Sequence, residues 1–466
     1  MIRWILICLL SFFFISCSVQ QQISKLAREN VLENTAMKTA HVGISVYDPA
    51  EDKTLYDYQG EKYFVPASNT KLFSLYAGMK YLGDSLVGIR YIETDTAIFI
   101  LPSGDPSLLH GDYKRQPVID FLKSITKKIY VANINWDEQA LGAGWSWDDY
   151  NDDYMVERSA LPVYGNVIKW VEEKQKQQQD SSFDPSPVVY SIPEVNWKVK
   201  FTTDSKQKNF FVKRKRDENV FDITQGNETL KSQEVPFITN GISSAIELLK
   251  DTVGREIYVT NKVPSDDKPQ LRIKLSHVGA AFSQELNDAE EMHIIHSQPV
   301  DSLFVPMMYR SDNFFAEQVL LMAANEKLGV MNDEKIVDTL LKTDLKGLPQ
   351  HPAWADGSGL SRFNLFSPND FVWLLNKMKN EFGMERMKRI LPTGGRGTLR
   401  NYYKDGSNFI FAKTGSLTGV ICLSGFIYTS KNKLLIFSVL VNNHHSNVTE
   451  IRKGVEGFLM SIRKKY

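Results

Sequence analysis

The chain has 466 residues, of which 42% are apolar and 24% are charged, and its formal net charge is zero. This length predicts two or three domains with a sizeable core, and the composition is typical of a soluble globular protein. Because the net charge is zero, no global basic field favours nucleic acid as a partner, and no acidic surplus favours a cationic one.

The N-terminal segment, residues 1–17, is typical of an export signal. Arg3 gives it a positive start, and the apolar run at 4–15 is too short to span a bilayer comfortably but fits the core of a signal peptide. Cys17 directly follows this run, as in bacterial lipoprotein signals, although Phe14 stands three residues before it where leucine is usual. We therefore expect an exported protein that carries lipid on Cys17. Ordinary cleavage nearby, which would release a secreted protein, is the alternative.

The cysteines are few and do not predict a disulfide framework. Cys8 leaves with the signal and Cys17 is expected to carry lipid, so Cys422 remains alone. No intrachain disulfide is expected, despite export. Because Cys422 lies in an apolar run, it is predicted to be a small buried hydrophobic residue.

Hydrophobic periodicity predicts an antiparallel sheet that is built from both ends of the chain and carries helices on its faces. The predicted helices cover 19–39, 68–83 and 447–465, and the predicted strands cover 41–48, 53–59, 408–415, 419–429 and 433–443. This pattern indicates an α+β layered architecture.

The middle of the chain, residues 85–284, is predicted to form one or two inserted, β-rich modules between 18–84 and 285–466. Its strand-like pieces lie at 90–101, 255–261 and 271–277, a polar stretch at 172–187 is predicted to be a loop, and a charged piece at 210–223 is predicted to be a solvated hairpin. No repeat with a solenoid period is visible.

Three short motifs occur in order: S-x-x-K at 68–71, S-x-N at 311–313 and K-T-G at 413–415. The S-x-x-K spacing also begins at five other serines, namely Ser124, Ser205, Ser265, Ser430 and Ser461. Taken alone, each motif also fits an ordinary helix start, helix cap or strand end. Their joint order and local contexts favour a catalytic site, because this order is the signature of active-site serine enzymes that recognise penicillin.

The first motif supplies a nucleophile and a base. Ser68 and Lys71 are three residues apart on a helix, so their side chains share a face, and a hydroxyl needs an adjacent base to become a good nucleophile. A neutral lysine serves if burial or a nearby cation lowers its pKa, and Lys413 is expected to be that cation. The backbone N–H groups of Ser68 and Ser416 are expected to form the oxyanion hole, where each donor is typically worth ~10²–10³ in rate.

The other two motifs supply proton transfer and substrate binding. Ser311 can relay a proton to the leaving amine, and Asn313 can orient a substrate amide with its donor and acceptor. Lys413 and Thr414 can bind a terminal carboxylate. Gly415 is expected to let a substrate backbone lie close to the strand edge.

These motifs and several neighbouring segments give the chain a specific resemblance. It resembles the class C low-molecular-mass penicillin-binding proteins, the three-domain serine-type D-Ala-D-Ala carboxypeptidases, in the first motif block, in "SGDPSL" at 103–108, in "GWSWDDY" at 144–150, in the second motif block and in "DGSGLSRFNLFSP" at 356–368. The match covers nearly the whole mature chain. The long gap between Ser68 and Ser311 also fits, since the family inserts two domains there into a transpeptidase-type domain, whereas class A β-lactamases have a shorter gap.

The resemblance implies a β-lactamase/transpeptidase-like fold and a periplasmic hydrolase of peptidoglycan stem peptides. Such an enzyme removes a terminal D-Ala or cuts a D-Ala cross-link as an endopeptidase, through an acyl-enzyme on Ser68 that β-lactams also form. The family often has a cleavable signal without lipid, so Cys17 is a departure that would place this chain on a membrane surface facing the periplasm. Peptidoglycan and β-lactams are the expected ligands, with no cofactor.

Two other kinds of function remain open, whereas metal catalysis has little support. A non-catalytic cell-wall-binding lipoprotein would keep the fold without turnover, and a β-lactamase or esterase on the same scaffold would differ in deacylation rate. His293 and His296, in a segment predicted to be helix or loop, and the adjacent His444 and His445 are not accompanied by an H-E-x-x-H pattern or a cysteine pair. No metal site is therefore expected, and Asp356 is predicted to be structural.

Overall fold

The computed structural model describes residues 20–173, 187–202, 209–226, 228–261, 292–404 and 408–466. The predicted signal, Cys17, the predicted strand at 271–277 and most of the predicted loop at 172–187 lie outside the described residues. Spatial proximity divides the chain into two compact units. Unit 1 comprises Met1–Met79, Phe304–Asp312 and Val337–Tyr466, and unit 2 comprises Lys80–Leu303 and Asn313–Ile336.

The helices and strands are labelled in chain order. The helices are α1 (20–27), α2 (Lys71–Tyr81), α3 (Pro117–Ser124), α4 (Ser243–Val253), α5 (Asp301–Tyr309), α6 (Asn313–Leu328), α7 (Asp333–Lys342), α8 (Pro368–Phe382), α9 (Met384–Ile390) and α10 (Val448–Lys465). The strands are β1 (His41–Asp48), β2 (Lys53–Tyr58), β3 (Ser85–Glu93), β4 (Ala97–Pro102), β5 (Lys128–Ala132), β6 (Val167–Glu173), β7 (Val188–Ile192), β8 (Lys198–Thr202), β9 (Phe211–Lys215), β10 (Glu218–Thr224), β11 (Leu230–Pro236), β12 (Ile257–Thr260), β13 (His293–Pro299), β14 (Ile410–Leu417), β15 (Val420–Tyr428) and β16 (Leu434–Asn442).

Unit 1 is built around one antiparallel sheet with the order β14-β15-β16-β1-β2. Strand β1 pairs with β16 from His41 opposite Asn442 to Tyr47 opposite Ile436, which joins the two ends of the chain. The prediction of an α+β layered fold with such a sheet is therefore confirmed, and the strand β14 that carries K-T-G lies at its edge.

Helix α10 shows how the sequence covers this sheet. The Asn447 side chain accepts a hydrogen bond from the Thr449 N–H (2.8 Å) and thereby caps the helix. The helix buries an apolar stripe made of Ile451, Val455, Phe458, Leu459 and Ile462. This spacing matches one face of an α-helix, so the stripe packs against the sheet core, which includes Leu423 and Val439.

Unit 2 contains a five-stranded sheet, β12-β5-β4-β3-β13, and two three-stranded sheets, β8-β10-β9 and β11-β6-β7. The predicted strands at 90–101 and 255–261 and the predicted hairpin at 210–223 are confirmed as β3–β4, β12 and β9–β10. The expectation that this hairpin is solvated was wrong for one of its faces, because Val212, Phe221 and Ile223 are buried in the core of unit 2. The prediction of a helix or loop around His293 was wrong, because residues 293–299 form β13 and pair with the edge of β3. The two histidines are three residues apart on this strand, so strand geometry does not place them on one face.

One buried ion cluster in unit 2 was not predicted from the sequence. Arg158 is 1% exposed and forms ion pairs with Asp333 (2.6 Å), Glu138 (3.2 Å) and Glu317 (3.5 Å). A buried guanidinium is stable only when carboxylates compensate for its lost hydration. Arg158 therefore holds together segments of unit 2 that are more than 150 residues apart in the chain.

Candidate active site

Ser68 and Lys71 lie at the junction of two helical segments in unit 1. Residues Ala67–Thr70 form a 3₁₀ turn that leads directly into α2 at Lys71. Side chains three residues apart nearly eclipse in a 3₁₀ turn, and Lys71 Nζ donates to Ser68 Oγ at 2.9 Å. Ser68 is half-buried and Lys71 is fully buried, so a hydroxyl that solvent can reach adjoins an amine shielded from water.

A second contact ties Lys71 to a segment of unit 1 that is distant in the sequence. Lys71 Nζ donates to the Ser358 carbonyl oxygen at 2.8 Å, across 287 residues of sequence. Asp356 stabilises this loop by accepting hydrogen bonds from the N–H groups of Gly359 (2.7 Å) and Ser361 (2.6 Å), which is the structural role predicted for it. The role of Ser358 was not predicted, because a backbone acceptor leaves no signal in its own side chain.

The loop at 356–361 packs against the turn that carries Ser68, and Gly359 makes this close approach possible. Gly359 has φ +82°, and a Cβ built on it would lie 1.9 Å from the Ala67 carbonyl oxygen. Ala67 itself has φ +47°, in the left-handed region that L-residues rarely adopt. Strain of this kind is often found at functional sites, where the surrounding packing maintains it.

Replacing Gly359 with Ala is expected to lower the free energy of unfolding by about 3 kcal/mol or more, because strain at positive φ adds to a backbone clash. Gly83→Ala is the matched control, since Gly83 also has a positive φ (+67°) but a Cβ there would meet nothing within 4 Å. Urea unfolding of both variants measures the difference. Equal losses in the two variants would show that the contact with Ala67 is unimportant.

Ser311 of the second motif and Lys413 of the third meet in unit 1. Lys413 Nζ, on β14, donates to Ser311 Oγ at 2.8 Å and to the Thr414 carbonyl oxygen at 2.7 Å. Ser311 lies in the connection between α5 and α6 and has φ +61°, a second left-handed L-residue beside the site. The structure therefore pairs Ser311 with Lys413, 102 residues away, and Ser68 with Lys71.

Burial and a neighbouring charge both act on Lys413. Burial, and secondly the positive charge of Lys71, lower the pKa of Lys413 well below its usual value. Because repulsion between two ammonium groups is reciprocal, this finding does not contradict the expectation that Lys413 is the cation that lowers the pKa of Lys71, which stays a prediction. Lys413 therefore loses its proton more readily than an exposed lysine does.

Lys413→Met is expected to raise the free energy of unfolding at neutral pH by about 1 kcal/mol or more. A lysine with a depressed pKa in the folded state binds fewer protons folded than unfolded, so the stability of the wild type rises with pH between that pKa and the ordinary value of about 10.4. In Lys413→Met, the free energy of unfolding should therefore rise less with pH than it does in the wild type. Urea unfolding from pH 6 to pH 10 measures it, with Lys431→Met, an exposed lysine in the β15–β16 hairpin, as the control.

Packing gives a structural reason for glycine at position 415 that was not predicted from the sequence. A Cβ on Gly415 would lie 2.5 Å from the Pro66 carbonyl oxygen and 3.2 Å from the Asn69 N–H nitrogen, so the glycine lets β14 pack against the turn that carries Ser68. The fully buried Asn69 donates from Nδ2 to Ser424 Oγ on β15 (2.8 Å), which ties the same turn to the sheet. Serines in the middle of apolar strands are the signal that could have indicated this anchor, since a buried hydroxyl needs a partner.

The remaining predicted site residues are placed as follows. Thr414 and Ser416 follow Lys413 on β14, with Thr414 half-buried and Ser416 exposed. Asn313 is the first residue of α6 and belongs to unit 2, where its side-chain amide donates to the Tyr154 carbonyl oxygen at 2.9 Å. Cys422 is buried, as predicted. Cys17 lies outside the described residues.

Comparison with known proteins agrees with this architecture. The D-Ala-D-Ala carboxypeptidase 3 (S13) family model matches residues 24–462. A D-alanyl-D-alanine carboxypeptidase of Actinomadura sp. is 25% identical over 469 residues, covering 89% of this chain and 80% of that protein. The D-alanyl-D-alanine carboxypeptidase DacB of Haemophilus influenzae is 23% identical and covers 93% of this chain and 92% of its own length. The crystal structure of penicillin-binding protein 4 (dacB) from H. influenzae matches with a TM-score of 0.68 at 19% identity, covering 94% of this chain and 97% of that one.

The class defined by this fold and these motifs is that of the serine-type penicillin-binding hydrolases. Because the family model spans most of the chain, this protein belongs to the D-Ala-D-Ala carboxypeptidase 3 (S13) family and is a serine-type D-Ala-D-Ala carboxypeptidase. Within the part of the chain that the structure describes, no helix is both long and apolar enough to cross a membrane.

Proposed function

We propose that this enzyme hydrolyses the D-Ala-D-Ala bond of peptidoglycan stem peptides, and D-Ala cross-links, through an acyl-enzyme on Ser68. The observation that carries the proposal is the 2.9 Å contact between Ser68 Oγ and the buried Lys71 Nζ. A hydroxyl in direct contact with a shielded amine has the geometry that an activated nucleophile requires.

The acylation step follows from these contacts. Ser68 Oγ attacks the carbonyl carbon of the penultimate D-Ala, and its proton passes to the neutral Lys71 amine. The C–N bond then breaks, and the leaving amine takes a proton from the Ser311 hydroxyl, which Lys413 holds at 2.8 Å. Ser311 regains a proton from Lys413, and Lys413 regains one from the Lys71 ammonium, so the proton that left Ser68 ends on the released amine. Water hydrolyses the resulting ester and restores the Ser68 hydroxyl. The N–H groups of Ser68 and Ser416 stabilise the oxyanion in both halves of the reaction.

Substrate binding uses the other motif residues. Lys413 and Thr414 bind the terminal carboxylate, and Asn313 orients the peptide amide. Gly415 keeps the edge of β14 close to the Ser68 turn, so that a bound peptide can lie along that edge. β-Lactams acylate the same serine; the structure of penicillin-binding protein 4 from H. influenzae was also solved in complex with a β-lactam, and it matches this chain with a TM-score of 0.63.

The organisation and location of the enzyme belong to the same proposal. We assign 18–84 and 285–466 to the transpeptidase-like catalytic domain and 85–284 to the inserted modules. The sheet of unit 1, which combines β1 and β2 with β14–β16, supports the first assignment. The compact units differ from these bounds, because unit 2 also includes β13, which pairs with β3, and Asn313–Ile336. The segment 1–17 directs export to the periplasm, and lipid on Cys17 anchors the enzyme to the membrane surface.

The proposal is tested by measuring the release of D-Ala from N-acetyl-Lys-D-Ala-D-Ala, with the L-Ala-terminated peptide as the stereochemical control. Release of D-Ala that penicillin pre-treatment blocks is expected. Destruction of penicillin without D-Ala release would instead indicate a β-lactamase, and neither reaction would indicate a cell-wall-binding protein. Cleavage of a muropeptide dimer joined by a D-Ala cross-link, assayed in parallel, measures the endopeptidase activity.

A further inference from the structure

An arginine of unit 1, Arg452, lies next to strand β14 and has no role in the proposed chemistry. Arg452, in α10, donates from Nη2 to Ser416 Oγ at 2.9 Å, and its guanidinium lies over the Tyr402 ring at 5.8 Å from the ring centroid. The ring and the hydroxyl hold the guanidinium in one orientation, because cation–π stacking fixes its plane and the hydrogen bond fixes its edge. Arg452 is half-buried, whereas Ser416 is exposed.

The partners of Arg452 leave its charge without compensation. Among the described residues, its hydrogen-bond and ring partners are Ser416 and Tyr402, and neither is a carboxylate. By contrast, three carboxylates surround the guanidinium of Arg158. Arginine has five N–H donors in a planar fork that matches a carboxylate, and the contact with Ser416 accounts for one of them.

The position of Arg452 relative to β14 indicates which anion it would meet. Side chains alternate along a strand, so Thr414 and Ser416 share one face, and together with Arg452 they line one cavity. Ser416 is exposed, so a substrate carboxylate can reach its hydroxyl from solvent. A carboxylate that accepts a hydrogen bond from Ser416 Oγ at about 2.7 Å lies at most about 5.6 Å from Arg452 Nη2, the sum of that length and the 2.9 Å contact.

We infer that Arg452 is a specificity-determining residue that recognises the C-terminal carboxylate of the substrate jointly with the Ser416 hydroxyl. This inference rests on the proposed function and extends it. Lys413 is fully buried and its pKa is depressed, whereas the Arg452 guanidinium is half-buried and adjoins the exposed Ser416. Arg452 therefore supplies positive charge on the accessible side of the carboxylate site, and it makes the enzyme favour free termini over amidated ones.

The test compares kcat/KM for N-acetyl-Lys-D-Ala-D-Ala with that for the same peptide carrying a C-terminal carboxamide. Arg452→Gln is expected to lower kcat/KM for the carboxylate peptide by about 10–100-fold, mainly through KM, because a hydrogen-bonded ion pair is lost. The value for the amide should change less than about threefold, and Arg452→Lys should restore part of the preference. The ratio of the two substrates reports recognition, which a purely structural role would not change.

Arg463→Gln is the matched control. Arg463 lies in the same helix, donates to the Ser430 hydroxyl at 3.1 Å and stacks on Phe409 at 4.3 Å, but it does not adjoin Ser416. Its substitution should leave the substrate ratio unchanged. An unchanged ratio in Arg452→Gln, or the same change in Arg463→Gln, would overturn the inference.

A second pair of probes separates this inference from the proposed function. Acylation by benzylpenicillin and by its methyl ester is followed by intact mass in the wild type and in Arg452→Gln. Loss of the preference for the free acid in the variant supports the carboxylate role even where peptide turnover is absent. A preference that persists in the variant contradicts the role even where D-Ala release proves the proposed function.

Discussion

Ser68→Ala is expected to abolish the covalent penicillin adduct and to lower D-Ala release by at least about 10⁴-fold. The substitution removes the attacking oxygen and leaves the other groups of the site in place. Activity remaining after loss of a nucleophile comes from binding and the oxyanion hole, and neither can form an acyl-enzyme. Intact-mass analysis after incubation with penicillin measures the adduct directly.

Ser124→Ala is the control for this prediction, because Ser124 begins another S-x-x-K spacing with Lys127. Ser124 is exposed and donates its hydroxyl to the Phe121 carbonyl oxygen at 2.7 Å, near the end of α3. Its replacement should leave the adduct unchanged. An adduct of full mass in Ser68→Ala would place the nucleophile elsewhere and would contradict the proposed mechanism.

Lys71→Met is expected to lower the second-order rate constant of acylation by about 10²–10⁴-fold, the usual contribution of a positioned general base. Methionine keeps an unbranched chain in a fully buried position but cannot accept the proton of Ser68. Burial of the lysine also means that no solvent group can easily replace it. Stopped-flow acylation by a chromogenic β-lactam across a pH series measures the rate, and the alkaline rise that belongs to the base should be absent in the variant.

Lys71→Arg distinguishes a base from a fixed positive charge. Arginine keeps the charge and can donate to Ser68 Oγ and the Ser358 carbonyl, but it is not deprotonated in proteins. If Lys71 acts as the base, Lys71→Arg is as slow as Lys71→Met. Acylation by Lys71→Arg within about threefold of the wild type would show that charge is sufficient; thermal unfolding of both variants checks that the buried site still folds.

Much of the fold follows from local patterns in the sequence. Strands β1, β14, β15 and β16 and helix α10 are apparent because their apolar periodicity and turn residues depend on neighbours only a few positions away. The local pattern does not predict a strand correctly where pairing at a sheet edge decides the structure. The segment from His293, predicted as helix or loop, is the strand that completes the edge beside β3.

The sequence by itself determined the three motifs, their order and the residue types that the chemistry needs, because a spacing of three on a helical turn already brings Ser68 to Lys71. The tertiary structure alone decided which distant groups complete the site. The Ser358 carbonyl that holds Lys71, the pairing of Ser311 with Lys413, and the backbone contacts that require Gly359 and Gly415 all join residues about 100 to 350 positions apart. The depressed pKa of Lys413 and the position of the Arg452 guanidinium, which has no carboxylate partner among the described residues, have the same origin. Burial and the distance between charges are properties of the packed chain, and no stretch of sequence contains them.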